Sequence, residues 1–317
     1  MIKPILQLIR WQNLVMLCFL MYAMHNLVAL SVLRTYGFGD PLPWWIQLML
    51  TAAVVLIAAG GYVINDYFDI KIDRINRPER LIVSQSVSKD QAMRLFQVTT
   101  ALGVGIGLAA AAILREWSIA TIFIIVPGML WFYSSTYKRQ LLIGNLIIAF
   151  AAAIVPIIIA LANVSVLKAR YGFVMDYLPV LHDIFVWLGG FALFAFLTTL
   201  AREIIKDLQD QIGDRELECH SLPIVIGETW TKVILTALIA LILVLIGLVH
   251  WGWLPYNVSW SSLSTQCVCF GLIIPLIATI IGLWRARIPS DYRVAQQLMK
   301  FCMLCGMLYS FVIWRML

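Results

Sequence analysis

Hydrophobic positions along this chain neither alternate nor keep to one helical stripe; they come in long, nearly unbroken runs. Nine runs approach the roughly 20 residues needed to cross a hydrocarbon layer of about 30 Å. They lie near residues 13–33, 44–64, 95–114, 118–136, 141–162, 183–201, 232–250, 264–284 and 296–314. Lipid offers no partner to backbone N–H and C=O groups, so such spans must close their hydrogen bonds internally as helices. The pattern predicts an all-α, polytopic membrane protein with nine transmembrane helices in a single domain over 1–317. The first run is too long for a signal-peptide core and no small-residue cleavage site follows it, so no cleavable leader is expected.

Composition agrees: 62% of the 317 residues are hydrophobic and 13% charged. Mean hydropathy is +0.90, outside the range of an ordinary soluble domain. What the charges add is direction. Positive residues collect on the cytoplasmic side of membranes, and a cytoplasmic N-terminus puts 18 of the 23 Lys and Arg residues inside. The larger polar stretches, 65–94 and 202–232, are then cytoplasmic, whereas 251–263, outside, has no basic residue. Topology and an anion site together explain the net charge of +6, so no nucleic-acid partner is expected. Cys267, Cys269, Cys302 and Cys305 fall inside predicted spans and read as small packed apolar residues. Trp44, Trp45, Trp251 and Trp253 fit an interfacial belt.

The acidic residues are the exception to this even picture, because 12 of 17 lie in 66–90 and 203–228. The first segment reads Asn65-Asp66-Tyr-Phe-Asp69-Ile-Lys-Ile-Asp73-Arg74 and the second Lys206-Asp207-Leu-Gln-Asp210-Gln-Ile-Gly-Asp214-Arg215. Each aspartate of the second stands 141 residues after its counterpart, and each triplet follows an apolar span running in the same direction. At about 100° per residue, positions i, i+3 and i+7 share one helix stripe, which Glu203 extends by a turn. Stacked carboxylates repel one another beside an apolar boundary, so a cation is expected among them. Mg²⁺ takes oxygen ligands, keeps several waters and bridges carboxylates to phosphate oxygens. The plain alternative is a salt-bridged, solvated face using Lys71, Arg74, Arg77, Lys206 and Arg215. Asn65 could also cap its helix, and Gly213 could end the second one.

With these motifs the chain resembles the UbiA-type superfamily of intramembrane prenyltransferases, which pairs N-D-x-x-D-x-x-x-D after its second helix with D-x-x-D-x-x-x-D after its sixth. Arg10-x-x-Asn13 and Tyr137-Lys138-Arg139…Gly144-Asn145 extend the likeness along the chain. The wording Arg202-Glu-Ile-Ile-Lys206-Asp207…Gly213-Asp214-Arg215…Ser221-Leu-Pro223…Gly227 looks most like the geranylgeranylglycerol-phosphate geranylgeranyltransferase branch. The resemblance implies helices ringed around a central cavity and Mg²⁺-dependent transfer of an isoprenoid from a prenyl diphosphate to a lipophilic acceptor. On this reading Asn65, Asp66, Asp69, Asp73, Asp207, Asp210 and Asp214 hold Mg²⁺. Arg74, Arg80, Lys138 and Lys206 contact diphosphate oxygens, Arg in pairs and Lys as a point charge. Asn13 and Tyr137 join the substrate-binding set, and Tyr67, Phe68 and Tyr133 with Tyr137 shield an allylic cation. One departure stands out: where the family has N-x-P-x-R-P-x-x-x-G, this chain has Leu81 for the second proline and Gln85 for the glycine.

Three other readings remain in view. An aromatic prenyltransferase of quinone synthesis shares part of the motif. A cation transporter would also use intramembrane acids and a repeat, though both clusters here sit at span ends. A lipid-binding scaffold would tolerate neutral aspartates. His25, His182, His220 and His250 are assigned no catalytic role, and no obligate protein partner is expected.

Overall fold

The computed structural model describes residues 2–76, 81–254 and 261–317. Its helices are α1 (Ile2–Leu8), α2 (Trp11–Thr35), α3 (Trp44–Phe68), α4 (Ile70–Asn76), α5 (Lys89–Leu114), α6 (Trp117–Ser135), α7 (Ile143–Tyr177), α8 (Val180–Glu216), α9 (Leu222–Val225), α10 (Glu228–Trp253), α11 (Ser262–Arg285) and α12 (Pro289–Met316). Nine of them, among the described residues, are long and apolar enough to cross a membrane, one for each predicted run. The protein is an all-α, multi-pass membrane protein.

Helix ends differ from the hydropathy limits for local reasons. α5 starts at Lys89 rather than near 95, because Ser88 and Gln91 form a capping box that satisfies its first free N–H groups. The sixth apolar run, 183–201, falls in the N-terminal half of the 37-residue α8. Gly213 does not end that helix; it is buried within it, and the left-handed turn comes later at Glu218, φ 52°. One internal glycine costs about 1 kcal/mol, too little by itself to break a 37-residue helix. Nor does Asn65 cap α3, which continues to Phe68. Most of 65–94 and 202–216 is therefore helical rather than loop.

The chain divides into two compact units, Met1–Lys138 with Ile154–Gly189, and Arg139–Ala153 with Gly190–Leu317. In the first, α3 packs along α5 and α6. A side chain at Gly60 would meet Thr100, and one at Gly107 would meet Phe123, so small residues set how closely these helices approach. Below them Leu8, Val63, Ile70, Leu81, Val83, Val87 and Ala92 form a small apolar cluster. In the second unit Ala201, Ile204 and Leu208 of α8 pack with Leu235 and Ile239 of α10, Leu276 and Leu283 of α11, and Tyr292 and Met299 of α12. Their spacing of three, four or seven is the signature of helices meeting along one face.

The family's proline-to-leucine and glycine-to-glutamine changes have a structural reading. Leu81 is buried in the lower cluster of the first unit. The one left-handed residue of the turn is Ser84, φ 78°, held by its N–H to Val87 O at 2.8 Å. Gln85 is exposed and needs no positive φ, so this turn does not require glycine there.

Candidate functional site

The first carboxylate set lies where α3 gives way to α4. Asp69, at φ −84° and ψ 0°, closes the last turn of α3, its N–H bonded to Asn65 O at 3.0 Å, and Asp73 N–H bonds back to Asp69 O at 2.9 Å. The predicted straight stripe is thus interrupted at Asp69, with Asp66 on α3 and Asp73 on α4. Three polar side chains converge there. Asn65 Nδ2 donates to Asp69 Oδ2 at 2.8 Å, and Lys138 Nζ donates to Asn65 Oδ1 at 3.2 Å and forms an ion pair with Asp69. Asn65 and Asp69 are buried. Burial works against the charge of Lys138, but Asp69, Tyr133 and Asp73 together outweigh it and hold the ammonium above the ordinary lysine range.

Asp66 is paired from a different element. Arg10, in the left-handed hinge between α1 and α2 at φ 53°, donates to Asp66 Oδ1 at 2.9 Å and lies over the Tyr62 ring at 4.9 Å. Asn13 reaches the Tyr62 hydroxyl at 3.3 Å. Arg10 was not among the predicted contact residues; the Arg10-x-x-Asn13 spacing was its only signal. Tyr67, Phe68, Trp131 and Phe96 form a chain of ring contacts with centroids 5.3 to 5.6 Å apart. Trp131 and Phe96, hidden inside apolar runs, extend the expected aromatic group. Tyr133 is buried, while Tyr137 is exposed with its ring 6.3 Å from Phe132. Arg74 is exposed, and Arg80 lies outside the described residues.

The second set stays on one helix. Asp207, Asp210 and Asp214 occupy the last turns of α8, so the i, i+3, i+7 stripe holds here. Asn145 Nδ2, from the start of α7, donates to Asp207 Oδ2 at 2.7 Å. Ser221 Oγ donates to Asp214 Oδ2 at 2.8 Å from the turn after α8, a turn that His220 N–H anchors to Arg139 O at 2.8 Å. One turn earlier the buried Glu203 pairs with Arg202 and lies 3.9 Å from Lys206 Nζ. Lys206 thus faces Glu203 in this structure. Asn145 and Ser221 were legible only as parts of longer family wording, because a single Asn or Ser carries no local signal of its partner.

The first set pairs Asp66 and Asp69 with the cations of Arg10 and Lys138, whereas in the second Asp207 and Asp214 accept from a neutral amide and a neutral hydroxyl. The sequence matches the UbiA prenyltransferase family over residues 26–304. Among its relatives is a digeranylgeranylglyceryl phosphate synthase of Methanosphaera stadtmanae, 30% identical over 277 residues, 85% of this chain and 87% of that protein. That of Sulfolobus acidocaldarius is 31% identical over 68% of this chain and 72% of its own. That of Ignicoccus hospitalis is 33% identical, but the match spans 56% of this chain and only 53%, about half, of the relative's length. A solved UbiA homologue from Archaeoglobus fulgidus, bound to GPP and Mg²⁺, has the same fold with TM-score 0.60 at 16% identity, over 98% of this chain and 99% of that one. One from Aeropyrum pernix K1 gives 0.61 at 17%, over 91% and 95%. With a family match over most of its length and a whole-chain likeness in fold, the protein belongs to the UbiA prenyltransferase family and is a membrane-embedded prenyltransferase.

Proposed function

We propose that the whole chain acts as one prenyltransferase domain. It transfers a geranylgeranyl group from its diphosphate, with Mg²⁺, to the hydroxyl of geranylgeranylglyceryl phosphate at the cytoplasmic membrane surface, in ether-lipid synthesis. The observation that carries the reading is the convergence of Lys138 on Asn65 and Asp69, joined by the names of the relatives.

Among the described residues no three acidic, His or Cys side chains come close enough to form a metal cage of protein alone. The donor set fits Mg²⁺ in its usual enzyme form, one or two carboxylates with water and diphosphate oxygens completing the shell. Asp66, Asp69 and Asp73 with Asn65 would hold one such ion, and Asp207, Asp210 and Asp214 another. Bound there, Mg²⁺ would supply charge neutralisation for the departing diphosphate. Lys138, Lys206, Arg74 and Arg80 bind diphosphate oxygens and share that neutralisation, Lys138 leaving its ion pair with Asp69 as substrate enters. Asn13 and Tyr137 line the donor's path. As the C–O bond breaks, the bonding pair leaves with the diphosphate. The rings of Tyr67, Phe68, Tyr133 and Trp131 face the allylic cation and keep water away. The acceptor oxygen then supplies the electron pair of the new C–O bond and passes its proton to the departed diphosphate.

The test incubates purified protein with radiolabelled geranylgeranyl diphosphate, Mg²⁺ and, separately, geranylgeranylglyceryl phosphate, homogentisate, 4-hydroxybenzoate or dihydroxynaphthoate. The expected result is ether product with the first alone, lost in EDTA and in Asp69→Ala and Asp210→Ala. Product with an aromatic acceptor instead would move the protein to quinone synthesis, and full activity in EDTA would defeat the metal reading.

A further inference from the structure

The polar face of α8 does not stop at the aspartates. Back from Asp207 it runs through Glu203 to Thr199, positions that share one stripe at about 100° per residue. Thr199 lies about 12 Å before Asp207 along the helix, at 1.5 Å per residue, inside the apolar run 183–201. It points about half a turn away from Ala201, Ile204 and Leu208, which α8 packs into the apolar core of the second unit.

Two groups on this stretch have more hydrogen-bonding capacity than the protein uses. Thr198, Thr231 and Thr279 return their hydroxyls to the carbonyl one turn back, at 2.6, 2.8 and 2.8 Å. Thr199 does not: it is 3% exposed, and its Oγ1 is buried with no hydrogen-bond partner. Such a hydroxyl is unfavourable unless a ligand completes it. Arg202 is the second group. Its side chain is only 24% exposed, and an ion pair with its chain neighbour, the buried Glu203, draws the guanidinium onto the polar stripe. Of the five N–H donors of a guanidinium, this contact takes one. The remaining planar fork fits two oxygens of a phosphate.

We propose that Thr199 and Arg202 form the subsite for the acceptor's head group, a phosphate monoester on glycerol. Arg202, oriented by Glu203, binds the phosphate, and the Thr199 hydroxyl donates to an oxygen of the same head group. This rests on the reading that geranylgeranylglyceryl phosphate is the acceptor. The isoprenoid leads from the diphosphate toward the membrane interior, so the attacking hydroxyl stands on the membrane side of Asp207, where Arg202 and Thr199 lie. A phosphate beside that apolar run gives up water and needs a fixed cation.

The test compares the unaltered protein with Arg202→Met, Arg202→Lys and Thr199→Val, using geranylgeranyl diphosphate, Mg²⁺ and either geranylgeranylglyceryl phosphate or geranylgeranylglycerol. The unaltered protein is expected to prefer the phosphate in kcat/KM. Arg202→Met should cut that preference by about ten- to a hundredfold, the scale of one charge-assisted hydrogen bond, with Arg202→Lys in between. Thr199→Val should raise KM for the phosphate acceptor by about fivefold, while the unfolding midpoint of the unliganded protein does not fall, because no internal hydrogen bond is lost. In every variant the thermal shift produced by Mg²⁺ and geranylgeranyl S-thiolodiphosphate should match that of the unaltered protein, and the further shift on adding geranylgeranylglyceryl phosphate should shrink. If Arg202→Met does not fold, Arg202→Lys and Thr199→Val carry the same comparison. A preference for the phosphate that survives the Arg202 variants overturns the proposal. So does equal loss of the donor and acceptor shifts, or a lower Thr199→Val midpoint with unchanged acceptor KM. If the unaltered protein uses neither glycerol acceptor but takes an aromatic one, the functional reading itself fails, and the subsite falls with it.

Discussion

The residue that most repays attention is Lys138. It lies just beyond α6 in the chain, yet its ammonium answers the charge of Asp69 and reaches Asn65. Replacing it with methionine keeps the length of the stem and removes the charge, leaving buried Asp69 with only the Asn65 amide among those two donors. If Lys138 passes its charge to the diphosphate during reaction, Lys138→Met should lower diphosphate release at saturating Mg²⁺ by about a hundredfold, the scale for losing one donor to developing charge. Unaltered release would confine the residue to structure. Arg10 shows a related economy: a left-handed hinge puts a guanidinium at once against Asp66 and over Tyr62. Neither pairing is visible in local sequence, since the partners are 69 and 56 residues apart.

At the level of elements, close helix approach in the first unit depends on where glycine falls. A Cβ at Gly103 would stand 3.0 Å from Ala53 O and 3.1 Å from Ile57 N, both backbone atoms of α3 that cannot swing aside. Gly105, one turn-half away on the same helix, has nothing within 4 Å of such a Cβ. Gly103→Ala should therefore destabilise the protein by about 1–3 kcal/mol through forced separation of α3 and α5. Gly105→Ala should stabilise α5 by up to about 1 kcal/mol, the helix preference of alanine over glycine. Thermal unfolding in detergent measures both, and equal shifts would show that the close approach carries no weight. The two aspartate motifs, alike in spacing, also diverge at this scale: α8 runs through its motif, whereas α3 stops at Asp69.

For the whole molecule, the orientation drawn from the Lys and Arg distribution makes a direct prediction. Tyr177, 83% exposed at the end of α7, and Glu218, exposed after α8, are separated by the span of α8 and should lie on opposite sides of the membrane. In a background without the native cysteines, an impermeant thiol reagent should label Tyr177→Cys in intact cells and Glu218→Cys only in inverted vesicles. The reverse pattern would turn the protein over and place the carboxylate motifs outside.

The sequence by itself determined the solvent, the helical class and the nine spans, because each of these follows from local runs of apolar side chains that lipid forces into helices. It also marked the aspartates, since a repeat 141 residues apart is visible without any fold. Only the tertiary structure decided which side chain meets four of the six aspartates: Arg10 for Asp66, Lys138 and Asn65 for Asp69, Asn145 for Asp207 and Ser221 for Asp214. It also decided that Gly213 stays inside a helix. These depend on which distant turns pack side by side, and a hydrogen bond between remote residues leaves no period in the chain from which to read it.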